Sequence, residues 1–125
     1  EVPVGQYALD FLDKAEADGS QGTGFKDAVL ANVVSYEENV RSVLAKVALG
    51  EADAGIVYTS DAAVSEGEVQ QIEIPDALNT IATYPIATLN DSPNPELAQQ
   101  FVDYVLAPAG QQVLEKYGFI GAGSK

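Results

Sequence analysis

A tyrosine and two helix starts are the features of this sequence that could bind a small anion. Tyr58 ends an apolar, strand-like segment, residues 54–58, and a helix signal follows it directly. Val40 stands at the start of another helix pattern, and Val4 precedes Gly5 at the start of a third. Backbone N–H groups at a helix N-terminus are unpaired and carry partial positive charge, so they bind oxyanions. A phenol hydroxyl would add one neutral hydrogen bond.

Each of these features also has a purely structural interpretation. Two helix starts beside a sheet are by themselves more typical of ordinary packing, because main-chain contacts leave no trace in the side chains. Most tyrosines on strands are half-buried packing residues. Arg41, the only arginine, could pair with an anion, but Glu37 and Glu38 are equally available to it. We expect a surface ion pair at Arg41.

The sequence lacks the residues of most catalytic and metal sites. It contains no His and no Cys, which removes imidazole and thiol nucleophiles and the usual zinc ligands. Glu37 and Glu38 are adjacent, and adjacent helical residues do not face each other, so we predict that they stabilise a helix N-terminus. Asp61 is predicted in the first turn of a helix, and no calcium-loop pattern is present. We therefore expect no enzyme, no cofactor and no free metal cation.

The composition limits the partners of the chain. Its 125 residues are 46% hydrophobic, enough for one ordinary domain with a core. With 19 acidic and 6 basic residues the net charge is −13, which disfavours nucleic acid because such binding needs clustered Lys and Arg. No apolar run reaches the length of a membrane span. The chain starts at Glu1 and contains no Met, so we expect a processed product or a fragment.

The elements that would position these residues alternate along the chain. Apolar spacing predicts helices over residues 5–17, 25–31, 37–49, 61–65, 96–106 and 108–117. Strands are predicted over residues 32–36, 54–58, 69–74 and 81–89, with residues 2–5 as the end of a strand or a crossover. Such alternation is typical of an α/β fold with a largely parallel sheet, whose carboxyl edge binds ligands. Ser60 is the predicted N-cap of the short helix, and Gly50 and Gly118 are predicted helix stops.

Five stretches of the chain, in this order, carry a resemblance to a known family. They are Val2-Pro3-Val4-Gly5-Gln6-Tyr7-Ala8, Glu38-Asn39-Val40-Arg41, Ala54-Gly55-Ile56-Val57-Tyr58-Thr59-Ser60-Asp61-Ala62, Tyr84-Pro85-Ile86-Ala87, and the ending from Pro108 to Phe119. The chain resembles the C-terminal portion of periplasmic molybdate-binding proteins, the solute receptors of ABC importers. The resemblance covers essentially all of the chain.

The resemblance implies the type II periplasmic-binding-protein fold, in which two α/β lobes joined by two crossovers hold an oxyanion in the cleft. It implies that residues 1–83 form the second, ligand-binding lobe, a three-layer α/β structure. Residues 84–125 are then the return crossover and the C-terminal helices of the other, incomplete first lobe. The first-lobe segment, with the two serines that the family uses as ligands, is missing from this chain.

The family's second-lobe ligands can be carried over residue by residue. They fall on the backbone N–H groups of Val4 and Val40 and on the hydroxyl of Tyr58, with Gly5, Asn39 and Arg41 as secondary candidates. The family often has a small residue in place of Val4 and an acidic one in place of Asn39, and main-chain donation survives both changes. The implied ligand is molybdate or tungstate, held by neutral donors.

The resemblance implies a periplasmic or otherwise extracytoplasmic receptor, compatible with a lipid anchor in the full-length protein, that delivers its oxyanion to the membrane subunits of an ABC importer. One alternative is a receptor lobe for sulfate or phosphate. Another is the effector domain of a transcription regulator, although no DNA-binding segment is present. An enzyme and a structural or assembly module are the remaining alternatives.

The implied domain division also predicts self-association. Apolar residues between Tyr84 and Phe119 would lack the first-lobe core that they normally cover. We therefore expect a homo-oligomer, with a domain-swapped dimer as a low-cost route because the C-terminal helices can exchange between chains.

Overall fold

The computed structural model of the chain describes residues 3–65 and 67–123. In these ranges it contains α1 (Pro3–Ala17), α2 (Phe25–Ala31), α3 (Val40–Ala48), α4 (Thr59–Val64), α5 (Pro95–Leu106) and α6 (Pro108–Lys116). The chain forms two units, Glu1–Ile81 and Ala82–Lys125. Helices α1 to α4 belong to the first unit, and α5 and α6 belong to the second.

The predicted parallel sheet is absent from the described residues. The predicted strands over residues 32–36, 54–58 and 81–89 form no ladder, and residues 69–74 contribute one isolated bridge, at Val69. A strand, unlike a helix, is completed only by hydrogen bonds to a neighbouring strand. The described residues are therefore helical, and the sheet of the predicted three-layer α/β lobe is not formed in them.

Helix starts differ from the prediction by a few residues, and local chemistry explains the differences. α1 begins at Pro3 instead of Gly5, so residues 3–5 are helical and not the end of a strand; Val2 lies outside the described residues. α3 begins at Val40 instead of residue 37, because the side chain of Asn39 accepts a hydrogen bond from the backbone N–H of Ser42 at 3.0 Å. An N-cap of this kind fixes where the helix begins.

Helix ends follow the prediction closely. Gly50 and Gly118 have φ angles of 74° and 82°, the left-handed conformation in which glycine avoids a steric penalty. Beyond them, the backbone N–H of Glu51 donates to the carbonyl of Lys46 at 2.8 Å, and that of Phe119 donates to Leu114 at 3.2 Å. These are the closing hydrogen bonds of Schellman motifs. Both predicted stops are confirmed.

Helix α1 carries the core of the first unit. Its buried apolar side chains are Val4, Leu12 and Ala15. The carboxylate of Glu16 accepts from the backbone N–H of Lys26 at 2.9 Å and so satisfies a donor in the first turn of α2.

Lysines join α1 to the segments around it. Lys14 Nζ donates to the carbonyl of Asn79 at 2.8 Å and to Thr80 Oγ1 at 3.2 Å. Lys26 Nζ, on α2, pairs with Asp13 Oδ1 at 2.6 Å. α1 is therefore fixed to α2 on one side and to residues 79–80 on another.

In the second unit, α5 and α6 meet at a glycine. Gly110 is buried, and a Cβ atom there would lie 2.2 Å from the carbonyl oxygen of Tyr104 and 2.8 Å from that of Val105. Gln111 Nε2 donates to the same Val105 carbonyl at 2.7 Å. The close approach of the two helices therefore requires a residue without a side chain at position 110.

Candidate oxyanion site

Val4 and Gly5 lie in the first turn of α1. The Val4 side chain is 8% exposed, so it anchors this end of the helix in the core, whereas Gly5 is exposed. The first four N–H groups of a helix have no partner within the helix. The Val4 N–H, at the second residue of α1, is thus of the kind that can donate to an anion.

Val40 is the first residue of α3, and the side chain of the preceding residue, Asn39, caps the helix. Asn39 Oδ1 accepts from Ser42 N at 3.0 Å and from Ser42 Oγ at 3.2 Å. The Asn39 side chain therefore satisfies the third N–H of the helix. It leaves the N–H groups of Val40 and Arg41 without a side-chain cap.

The segment before α3 is fixed along the helix by Lys46. Lys46 Nζ lies 2.7 Å from Glu37 Oε1 and 3.0 Å from Ser35 Oγ, and Ser35 donates to the same Glu37 oxygen. The hydrogen bond from Lys46, followed by that from Ser35, lowers the pKa of Glu37, and the hydrogen bond to Glu37 raises the pKa of Lys46. An ionised carboxylate thus holds residues 35–37 against the last turn of α3.

This arrangement overturns two predictions. Glu37 pairs with Lys46 and not with Arg41, and in residues 3–65 and 67–123 no carboxylate lies within ion-pair distance of Arg41. Arg41 is an exposed second residue of α3. Glu37 and Glu38 precede the N-cap, so neither lies in the first helical turn, where the prediction placed them.

Tyr58 is the N-cap residue of α4 and is half-buried. Its backbone is extended (φ −77°, ψ 152°), and its carbonyl accepts from Asp61 N at 3.0 Å and Ala62 N at 3.2 Å. The predicted N-cap, Ser60, is wrong: it lies inside α4, because the helix begins at Thr59. Asp61 lies in the first turn of α4, as predicted.

Two contacts connect Tyr58 and its segment to the helices that carry the other candidates. The rings of Tyr58 and Tyr7 meet edge to face, with centroids 6.5 Å apart and an interplanar angle of 71°. Tyr7 lies three residues after Val4 on α1. On the other side, a Cβ atom at Gly55 would lie 2.4 Å from Val43 Cγ1. The absence of a side chain at Gly55 therefore lets residues 54–58 run directly against α3.

The structure thus places the three predicted ligands on elements that contact one another, through Tyr7 and Gly55. Sequence reasoning did not single out Tyr7; because α1 begins at Pro3, Tyr7 and Val4 lie on one face of the helix. Nor did sequence reasoning single out the burial of Asp61 Oδ2, which has no hydrogen-bond partner within the described residues. No group of three potential metal-ligating side chains occurs in the part of the chain that is described.

Comparisons with known proteins identify the family to which the chain belongs. A family model for bacterial extracellular solute-binding proteins matches residues 1–120. The molybdate-binding protein ModA of Mycobacterium bovis is 42% identical over 103 residues, which are 81% of this chain and 40% of that protein. ModA of Escherichia coli is 33% identical over 118 residues, or 94% of this chain and 42% of that protein.

A third relative is a putative ABC transporter substrate-binding lipoprotein, YvgL, of Bacillus subtilis, which is 32% identical over 94% of this chain and 42% of its own length. The chain therefore spans about two fifths of the length of the curated relatives it matches. No solved structure matches it significantly. Among the described residues, no helix is long and apolar enough to cross a membrane. The match over residues 1–120 shows that the chain belongs to the family of bacterial extracellular solute-binding proteins.

Proposed function

We propose that this chain binds a tetrahedral oxyanion, molybdate or tungstate, as part of a receptor that delivers it to an ABC importer. One observation carries the proposal: Tyr58 packs against Tyr7 on α1, while its own segment packs through Gly55 against α3. The two helices that carry the proposed N–H donors therefore both contact the segment that ends in Tyr58. The relatives named molybdate-binding proteins support molybdate as the anion.

The proposed ligands are the N–H groups of Val4 and Val40 and the hydroxyl of Tyr58. Gly5 and Arg41 are secondary candidates through their N–H groups, whereas the side chain of Asn39 serves as the N-cap of α3. Such neutral donors suit a fully ionised oxyanion, because a protonated ligand would bring a donor to a site that offers only donors. The net charge of −13 opposes any anion at long range, so binding must come from these local dipoles.

The proposal places the protein outside the cytoplasm, with the membrane subunits of the importer as its partners. A relative named as a substrate-binding lipoprotein of an ABC transporter supports this placement. No cofactor or free metal cation takes part. Sulfate and phosphate are the alternative ligands, because both are tetrahedral anions that helix N-termini bind.

Calorimetric titration with four anions tests the proposal. Molybdate, tungstate, sulfate and phosphate are titrated into the chain at one ionic strength and one pH, with perchlorate, a tetrahedral monoanion, as the control. We expect molybdate and tungstate to bind at least tenfold more tightly than sulfate and phosphate, and perchlorate not to bind. We expect weak absolute affinity, because the family's two first-lobe serines are absent from this chain. A preference for sulfate or phosphate would assign a different ligand, and no heat with any dianion would refute the proposal.

A further inference from the structure

We propose that residues 81–83 form a short flexible joint in the chain, and that Lys14 of α1 fixes the end of this joint that lies in the first unit. The division between the two units falls inside this segment. Lys14 Nζ donates to the carbonyl of Asn79 at 2.8 Å and to Thr80 Oγ1 at 3.2 Å. The two residues that precede the joint are therefore held by one side chain of α1.

Lys14 is attached to the most buried part of the first unit. Its neighbours on α1, Leu12 and Ala15, are 4% and 3% exposed, so the backbone that carries Lys14 belongs to the core. An ammonium group has three N–H donors and no acceptor, and hydrogen bonds from a charged donor are stronger than those between neutral groups. The core helix thus holds the Asn79–Thr80 pair through a charged donor.

A tight turn brings the chain to this anchor. The backbone N–H groups of Leu78 and Asn79 donate to the carbonyl of Pro75 at 2.8 Å and 3.0 Å, and the N–H of Thr80 donates to Asn79 Oδ1 at 2.8 Å. The side chains of residues 78–80 are half-buried. Each backbone N–H from Leu78 to Thr80 is therefore used in a hydrogen bond, and the chain is fixed up to Thr80.

These restraints stop directly after Thr80. Residues 81–83 make no hydrogen bond, ion pair or ring contact with any other described residue, and the side chain of Ile81 is 60% exposed. On the far side, the ring of Tyr84 contacts that of Phe119 edge to face, with centroids 5.9 Å apart. Local freedom is expected where backbone hydrogen bonds and buried contacts are few. Backbone rotation is therefore concentrated in three residues between two restrained ones.

Backbone ¹⁵N relaxation of the parent chain locates the joint, and no anion is needed. We expect order parameters of about 0.85 for residues 78–80 and below about 0.6 for residues 81–83, with a rise again at Tyr84. Order parameters that stay level from Leu78 to Tyr84 would overturn the joint, whether or not the chain binds molybdate.

Lys14→Met tests the anchor, because methionine keeps an unbranched stem and has no N–H donor. We expect the order parameter of Thr80, and to a smaller extent that of Asn79, to fall toward the values of residues 81–83. The control is Lys26→Met, which removes the ion pair between α2 and Asp13 in the same unit. It should leave residues 79–80 rigid.

Thr80→Val is a milder variant for the case that Lys14→Met does not fold. Valine keeps the shape of the side chain and removes only the hydroxyl acceptor, so the order parameter should fall at position 80 and stay unchanged at Leu78. Residues 79–80 that remain rigid in Lys14→Met, or in Thr80→Val where Lys14→Met is unfolded, would overturn the role of Lys14. An equal fall in Lys26→Met would also overturn it, since the loss of any lysine contact of α1 would then suffice.

Discussion

Helix α1 of the first unit buries the side chains of Val4, Leu12 and Ala15, whereas the second unit has no comparable core in its described residues, 82–123. The buried residue there is Gly110, which has no side chain to contribute. The second unit is instead held by the close approach of α5 and α6, by the Gln111–Val105 hydrogen bond and by an edge-to-face contact between Tyr84 and Phe119, whose centroids lie 5.9 Å apart.

The difference shows which unit has buried apolar side chains to support a binding geometry. Burial of apolar side chains is the main favourable term in folding, and α1 has it. On α5, large apolar side chains are more than half exposed: Leu97, Phe101, Tyr104 and Leu106. All proposed ligands belong to the first unit, and the second presents an apolar surface. The assignment of residues 84–125 to the other lobe of the longer relatives stays a prediction.

Gly110→Ala should produce the largest effect, because it attacks the contact that organises the second unit. The added Cβ would lie 2.2 Å from a backbone oxygen, which cannot move aside as a flexible side chain can. We expect a loss of about 3 kcal/mol in the stability of the α5–α6 pair, at the upper end of overpacking costs. Amide hydrogen exchange, read separately for each helix, measures the loss.

The control is Gly5→Ala, since a Cβ at Gly5 meets nothing within 4 Å and favours the helix. Faster exchange in α5 and α6, with α1 unchanged, would show that the two units unfold separately. Equally faster exchange throughout the chain would contradict this, since the units would then unfold together.

Tyr58→Phe should have the next largest effect, on binding and not on folding. It removes one hydrogen bond to a charged group, worth about 1.5–3 kcal/mol, so affinity for molybdate should fall about 10- to 100-fold. The ring contact with Tyr7 is kept, so the first unit should stay folded. Tyr36→Phe, at a tyrosine that is 82% exposed, is the matched control. Equal affinity in Tyr58→Phe and the parent would remove Tyr58 from the ligand set.

Helix stops, and the start of α6, were predictable because their signals are local. Gly50, Gly118 and Pro108 each act within a few residues. α3 ends before Gly50, α6 ends before Gly118, and α6 begins at Pro108, as these residues predict. Asn39 carried an equally local capping signal, and the acidic pair before it led to a start that was three residues early. Strands are different, because an apolar run such as residues 54–58 becomes a strand only if another part of the chain pairs with it.

The contacts that join the candidate site were harder to predict. A glycine in a sequence does not show which element packs against it. The close packing of Gly55 on α3 and of Gly110 on the end of α5 is therefore visible only in the structure. The sequence predicted an ion pair between Arg41 and its near neighbours in the chain. Glu37 instead pairs with Lys46, nine positions further along. The three proposed ligand positions were indicated by the helix starts and the tyrosine in the sequence and assigned by the family resemblance, and their role in binding stays a prediction.

The exposed face of α5 provides a third test, of self-association. We expect the chain to associate at micromolar concentrations through the predicted surface between Tyr84 and Phe119, of which Leu97 and Phe101 are strongly exposed. Phe101→Gln should weaken association by about 2 kcal/mol, roughly 30-fold, since it removes the burial of one large apolar side chain. Light scattering against concentration at physiological salt measures it. Ile72→Gln, at an isoleucine of the first unit that is 83% exposed, is the control. A parent that stays monomeric would show that this apolar face does not drive association.

The smallest effect concerns the ion pair that fixes residues 35–37 along α3. Because Lys46 and Ser35 lower the pKa of Glu37, the pair stabilises the fold above the ordinary glutamate pKa of 4.5, and this contribution is lost as the pH falls through the lower pKa of the folded state. The raised pKa of Lys46 gives the opposite limit: its contribution is present below the ordinary lysine value of 10.5 and is lost as the pH rises through the higher folded value.

Glu37→Gln should therefore lower the urea midpoint slightly at pH 7, and its difference from the parent should shrink as the pH falls through the lowered pKa of Glu37 in the folded state. The pH range in which the midpoints of parent and variant converge should lie below pH 4.5. Glu38→Gln is the matched control, because it removes an adjacent acidic side chain that forms no ion pair within the described residues. A constant difference between Glu37→Gln and the parent from pH 2.5 to pH 7 would show that the ionisation of Glu37 has no part in holding the segment.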